Sequence, residues 1–294
     1  MKTILCLVDF SDDSRNAMDY AILLAGKLKM NILMMHVFDP SLKEAITDTY
    51  KLMVNETITG TPREVKTELD MWKDALVAAQ PDIPCEAVFE EGNLLTHVRQ
   101  LMKTRKIDLI VMGTKGASGV KEVFAGSNTM KIIGEALCPV FAVPSGFSPP
   151  KLEHVAFATN YKLGDDLSIR FMGNLAKTFS ADMQVVHVIS DDMNPGDDEC
   201  LSSNFVQGIA REIQYDKLSF NCLKGSDTFE VLERFVADNH IDLLAISFTH
   251  RSFLTTFFRH GVARKVTHHL RIPFIVFQKM EEEDNVSTLT TYID

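Results

Sequence analysis

The sequence predicts an α/β fold of two tandem domains, each a five-stranded open parallel sheet with helices on both faces. Three observations carry that expectation. Short unbroken apolar runs, the pattern of strands covered on both faces, alternate with stretches of helical period. Joined by right-handed crossovers, such an alternation closes into an open parallel sheet. The second half of the chain then repeats the first. At 294 residues the chain has room for two cores of roughly 150 residues each.

Ile4-Leu5-Cys6-Leu7-Val8 is the first strand. Asp9-Phe10-Ser11-Asp12-Asp13-Ser14 supplies a loop and N-cap candidates, and Ala17, Ala21, Leu24, Ala25 and Leu28 recur at helical spacing. Ile32 to Phe38 is the second strand. A less regular stretch from Asp39 to Gly60 follows, and Pro62 opens a helix with Val65, Leu69, Trp72, Leu76 and Ala79 on one face. Cys85 to Phe89 reads as strand three, Leu94 to Met102 as a helix, and Leu109-Ile110-Val111-Met112 as strand four. A helix over Asn128 to Leu137 and a fifth strand, Pro139 to Val143, complete the first domain, 1–146. Ser145 to Pro150 has the composition of a linker.

Val155 to Tyr161 lies over Ile4 to Phe10 at an offset of 151, which also sets Val185-Val186-His187-Val188 over Met34-Met35-His36-Val37. Asp242 to Ile246 matches Asp108 to Met112 at an offset of 134, as Pro273 matches Pro139. The offsets differ by 17 (151 − 134), so the second copy, 151–279, is shorter in its middle. Two copies at this length are a domain duplication rather than a solenoid. Residues 280–294, beginning Met280-Glu281-Glu282-Glu283-Asp284, read as a mobile acidic tail.

Thirty basic against 40 acidic residues leave a net charge of −10, which argues against a broad nucleic-acid surface. The five cysteines are scattered without a C-x-x-C pair and read as reduced, largely core residues. Asp9 interrupts the N-terminal apolar run before a signal core is complete, and no apolar segment approaches the ~20 residues of a membrane span. The expectation is a cytoplasmic protein.

The stretch most suggestive of chemistry is Gly113-Thr114-Lys115-Gly116-Ala117-Ser118-Gly119, followed after Ala125 by Gly126-Ser127. Glycines between a strand and a helix start allow close ligand approach, and the free N–H groups of the helix terminus attract an anion. Its Gly-x2-Gly-x9-Gly-Ser spacing is neither the dinucleotide fingerprint nor the P-loop.

Taken with Asp9-Phe10-Ser11, His36-Val37, Asp108 to Gly116 and Cys138-Pro139-Val140, this spacing resembles the universal stress protein family in its tandem form. The resemblance covers nearly the whole chain apart from the tail. It implies the strand order 3-2-1-4-5 of adenine nucleotide alpha-hydrolase-like folds. It also implies ATP, or AMP or ADP, with or without Mg, at the carboxyl ends of strands one and four. That crevice is the switch point of strand order, where open α/β sheets take ligands. By the same resemblance Asp9 receives adenosine donors, Val37 meets the adenine, and Met112 and Gly113 line the ribose. Gly116, Gly126, Ser127 and Asn128 face phosphate oxygens, with Lys115 as an extra cation. His36 reads as structural, because its partner His187 stands in a copy without the glycines.

In that copy Gly113 becomes Ser247, Gly116 becomes His250, Gly126 becomes His260 and Asp9 becomes Asn160, so nucleotide binding is not expected there. Phe253 to Phe258 instead forms an apolar segment, read as a packing surface or an apolar-ligand site. With no glycine after strand one and no evident hydrolytic array, the reading is a sensor or regulator of stress response rather than a dedicated enzyme, slow ATP hydrolysis being left open. The alternative is an interaction or scaffold module without nucleotide. Strand five pairs domains in the resembled family, which leaves pairing within the chain and a homodimer both open; the protein partner is not legible.

Overall fold

The computed structural model describes residues 2–40, 60–114, 127–144, 146, 150–159, 165–189, 191, 204–249 and 272–279. The chain divides into two compact units, Met1–Pro150 and Lys151–Asp294. The acidic segment 280–294 and the apolar segment 253–258 lie outside the described residues.

The first unit runs β1 (Thr3–Leu7), α1 (Asp12–Leu28), β2 (Asn31–Phe38), α2 (Pro62–Ala79), β3 (Cys85–Glu91), α3 (Leu94–Thr104), β4 (Leu109–Gly113), α4 (Ser127–Glu135) and β5 (Val140–Val143). All neighbours pair parallel, in the order β3-β2-β1-β4-β5. Continuous apolar runs become the most deeply buried strands: β4 and β5 are buried at every position, and Ile4, Leu5 and Cys6 are fully buried. Each such aliphatic side chain stabilises the fold by roughly 1.5–3 kcal/mol. The edge strand β3 is only partly covered.

Local chemistry sets the helix starts. Ser11 caps α1, its hydroxyl accepting from the Ser14 N–H at 3.2 Å. Thr61 and Glu64 form a reciprocal capping box on α2, with Pro62 in the first turn. Asn93 accepts from the Thr96 N–H to start α3.

The second unit runs β6 (His154–Thr159), α5 (Asp165–Phe179), β7 (Asp182–Ile189), α6 (Asn204–Ile213), β8 (Leu218–Lys224), α7 (Thr228–Asp238), β9 (Leu243–Thr249) and β10 (Phe274–Lys279). Its order, β8-β7-β6-β9-β10, is again 3-2-1-4-5, all parallel. Phe229, Leu232, Phe235 and Val236 place one face of α7 against Ala156, Val186 and Leu244.

The two units agree to the residue. Ile4 pairs with Ile32 and Leu109, and Val155, its counterpart, pairs with Met183 and Leu243. Buried Asp108 accepts from the Thr3 N–H at 2.8 Å; buried Asp242 accepts from the N–H groups of Glu153 and His154 at 2.8 and 2.9 Å. Each carboxylate clasps the start of the first strand of its unit to the fourth. Burial pushes the thiols of Cys6 and Cys138 up, as expected of inert core cysteines. Cys222 departs from the reduced reading, because it is disulfide-bonded. Among the described residues no helix is long and apolar enough to cross a membrane.

Candidate functional site

The switch point of the first unit lies between β1 and β4, whose neighbours β2 and β5 carry the chain away in opposite directions. The last paired residues there are Leu7 with Met35 of β2 and Leu7 with Met112 of β4. Two residues beyond each stand Asp9, Val37 and Thr114, so three of these tips end level with one another.

Asp9 is half-buried and shapes its own loop: Oδ1 accepts from the Ser11 N–H at 3.1 Å and from the Ser11 hydroxyl. The capping hydroxyl of α1 is thereby oriented by the carboxylate. Between them Phe10 adopts φ 64°, left-handed backbone that a bulky residue occupies only at a cost. Burial holds it there: Phe10 is 2% exposed, its ring 4.8 Å from that of His36 and edge-on to Trp72 at 5.3 Å. The Arg15 guanidinium lies 4.5 Å over the Trp72 ring, so α1 and α2 are joined above the same loop.

His36 is structural, as its repeat partner implied. Its Nδ1 donates to the Val8 carbonyl at 2.8 Å, and His187 Nδ1 makes the equivalent bond to Thr159 at 2.8 Å. A carbonyl only accepts, which fixes the proton on Nδ1. Desolvation lowers the His36 pKa below its ordinary value, against the opposing Val8 bond and the nearby Asp9 charge.

Met112 is buried, and Gly113 ends β4. A Cβ on Gly113 would lie 2.9 Å from the Asp13 Cβ, 3.0 Å from its carbonyl carbon and 3.1 Å from its oxygen. The first turn of α1 therefore packs directly on this glycine, a reason for its identity that needs no ligand. Thr129, buried in α4, shares its one hydroxyl proton between the carbonyls of Gly113 at 3.1 Å and Thr114 at 3.3 Å. That contact holds the N-terminal turn of α4 at the tip of β4, where its N–H groups suit an anion. Asn128 is exposed in the same turn, and Ser127 begins the helix.

Of the residues expected to form the site, the structure thus brings Asp9, Val37, Met112 and Gly113 to neighbouring strand tips and sets Ser127 and Asn128 at the start of α4. Lys115, Gly116 and Gly126 lie outside the described residues. The sequence reading passed over Thr114, Thr129 and Arg15. A signal for the first two was present: at an offset of 134 Thr114 becomes Phe248 and Thr129 becomes Ala263, so both hydroxyls vanish where the glycines do.

The matching tip of the second unit is built differently. Asp165, fully buried at the start of α5, accepts from the Thr159 hydroxyl at 2.7 Å and from the Ser247 hydroxyl. Thr159 ends β6 and Ser247 stands in β9 at the place of Gly113. A carboxylate is thus retained near this tip although Asn160 replaces Asp9, but it comes from the helix and is spent on two internal hydroxyls.

A family model described as the universal stress protein family matches residues 1–144. The universal stress protein YxiE of Bacillus subtilis is 30% identical over 147 residues, covering 48% of this chain and 97% of that protein. A universal stress protein of Thermus aquaticus is 31% identical over 155 residues, covering 48% and 98%. Among solved structures, a universal stress protein from Archaeoglobus fulgidus matches with a TM-score of 0.72 at 15% identity, over 95% of this chain and 97% of its own. That last match is a likeness of fold.

Proposed function

Since this chain belongs to the universal stress protein family, we propose that its first unit binds ATP or another adenine nucleotide across the tips of β1 and β4, and that occupancy rather than turnover carries a stress signal. The observation that supports this most is the level placement of Asp9, Val37 and Thr114 at the switch point, with the first turn of α4 held beside them by Thr129. Asp9 would accept from adenosine, Val37 would meet the base, and Met112 and Gly113 would border the ribose. Ser127 and Asn128 would meet phosphate from the N-terminal turn of α4, with Lys115, Gly116 and Gly126 as the family pattern suggests. The chemistry of this donor set fits such a ligand: a carboxylate for neutral donors, and helix N–H groups for anionic oxygens. Among the described residues no group of three or more His, Cys, Asp or Glu could hold a metal ion.

A second reading has an observation of its own. The packing of Asp13 on Gly113 explains one glycine without a nucleotide and suits an interaction module. Calorimetric titration of the full chain with ATP, ADP and AMP separates the two. The nucleotide reading expects one site per chain, abolished by Gly116→Val with the fold intact. At ligand near 100 Kd the bound unit gains about 2.7 kcal/mol, worth roughly 5–10 °C in melting for a unit of this size. No binding and no melting shift with any of the three would favour the interaction module, and two sites per chain would show that the second unit binds as well.

A further inference from the structure

Thr114 follows directly on Gly113, and only 2% of its surface is exposed. Its backbone is engaged on both sides: the N–H donates to the Val143 carbonyl at 2.9 Å, and the carbonyl accepts from the Thr129 hydroxyl at 3.3 Å. The Thr114 hydroxyl, by contrast, has no hydrogen-bond partner among the described residues. A buried hydroxyl in that state destabilises a fold, whereas valine would fill the same shape without the penalty. Thr114 stands at the level of Asp9 and Val37, and its carbonyl is bonded to Thr129 in the first turn of a nine-residue helix. In the second unit, where Phe248 takes its place, the neighbouring hydroxyl of Ser247 is satisfied internally by Asp165.

We propose that the Thr114 hydroxyl is a ligand-binding group of the first unit, donating its hydrogen bond to a phosphate oxygen of the bound adenine nucleotide. The inference rests on the nucleotide reading above. A hydroxyl already stripped of water gives up no solvent bond when it meets an anionic oxygen, and bonds to ionised acceptors are the stronger kind.

The test uses the full chain as wild type, Thr114→Val and Thr114→Ser, each melted without ligand and titrated calorimetrically with ATP and with adenosine. The valine variant is expected to melt at or above the wild type without ligand, to bind ATP about tenfold or more weakly, and to bind adenosine as the wild type does. The serine variant keeps ATP affinity within about threefold of wild type, since it retains the donor. Unchanged ATP affinity in the valine variant overturns the inference and leaves the nucleotide reading standing. So does a valine variant that melts several degrees lower without ligand, which would reveal a structural partner such as a buried water. An equal loss for adenosine moves the contact off the phosphate and overturns it too. A wild type that binds no adenine nucleotide overturns the nucleotide reading itself, and the inference falls with it.

Discussion

The two units share one frame and differ at one end of it. Both have the order 3-2-1-4-5 and the same register, both clasp their first strand to the fourth with a buried aspartate, and both fix a histidine to the end of the first strand. At the carboxyl tips they part. The first unit has a bare Gly113 with helix backbone packed on it and a buried hydroxyl without a partner among the described residues; the second has Ser247 and Thr159 both tied to Asp165. What is common to both copies specifies the sheet, and what differs is the tip at which a nucleotide is proposed to bind.

The largest effect that could break this comparison is expected from Asp165→Ala. It leaves the hydroxyls of Thr159 and Ser247 without their acceptor in a buried site, at a cost of about 3 kcal/mol. Hydrogen exchange should show lost protection in β6 and β9 while β1 and β4 stay unchanged; equal loss in both units would mean that the tips are not independent. Gly113→Ala comes next. Its methyl must displace the backbone of Asp13, so about 2 kcal/mol of destabilisation is expected in the first unit, whereas Ser247→Ala should lose no more than a hydrogen bond. Urea titration followed by exchange in β4 and β9 measures both.

Smaller, and matched between units, are Asp108→Asn and Asp242→Asn. Each weakens a charge-assisted clasp by about 1 kcal/mol, and a large inequality between them would show that the frames are less alike than their register. The smallest effect is that of His36. Its folded pKa lies below the unfolded value of 6.5, so below that pH the unfolded chain binds the extra proton. His36 therefore draws stability away as pH falls from 6.5 towards its folded pKa, and has no such effect above 6.5. Denaturation of wild type and His36→Gln at pH 7.5 and 5.5 should show a shallower acid loss in the variant.

Most of the frame was legible because it is written locally. Ile4 to Val8 and Leu109 to Met112 are unbroken apolar runs, Thr61-Pro62 with Glu64 is a helix start on inspection, and the repeat of His36 as His187 marked a structural histidine before its bond to a carbonyl was seen. The site was less legible because its determinants are contacts between distant residues. Nothing in the sequence near Gly113 announces Asp13, and the glycine that looked reserved for a ligand also makes room for a helix. Asp9 reads as a ligand acceptor, yet the structure uses it to orient the cap of α1 as well. The pairing state of the Thr114 hydroxyl is a property of its surroundings, which no spacing rule reports. Nothing in the sequence singles out Asp165, because its carboxylate comes from a helix start, in line with Ser14 rather than with Asp9.

The left-handed turn at Phe10 has a consequence for the order in which this molecule can be assembled. β1 and α1 are contiguous, but the ring that holds Phe10 edge-on belongs to Trp72, which is synthesised only after β2 and the whole segment before α2. A nascent chain ending before Trp72 can pair its first two strands, yet it lacks the contact that favours the turn carrying Asp9. The turn that carries Asp9 is thereby tied to a segment made well after it, and a chain shortened before Trp72 would lack the contact that favours it.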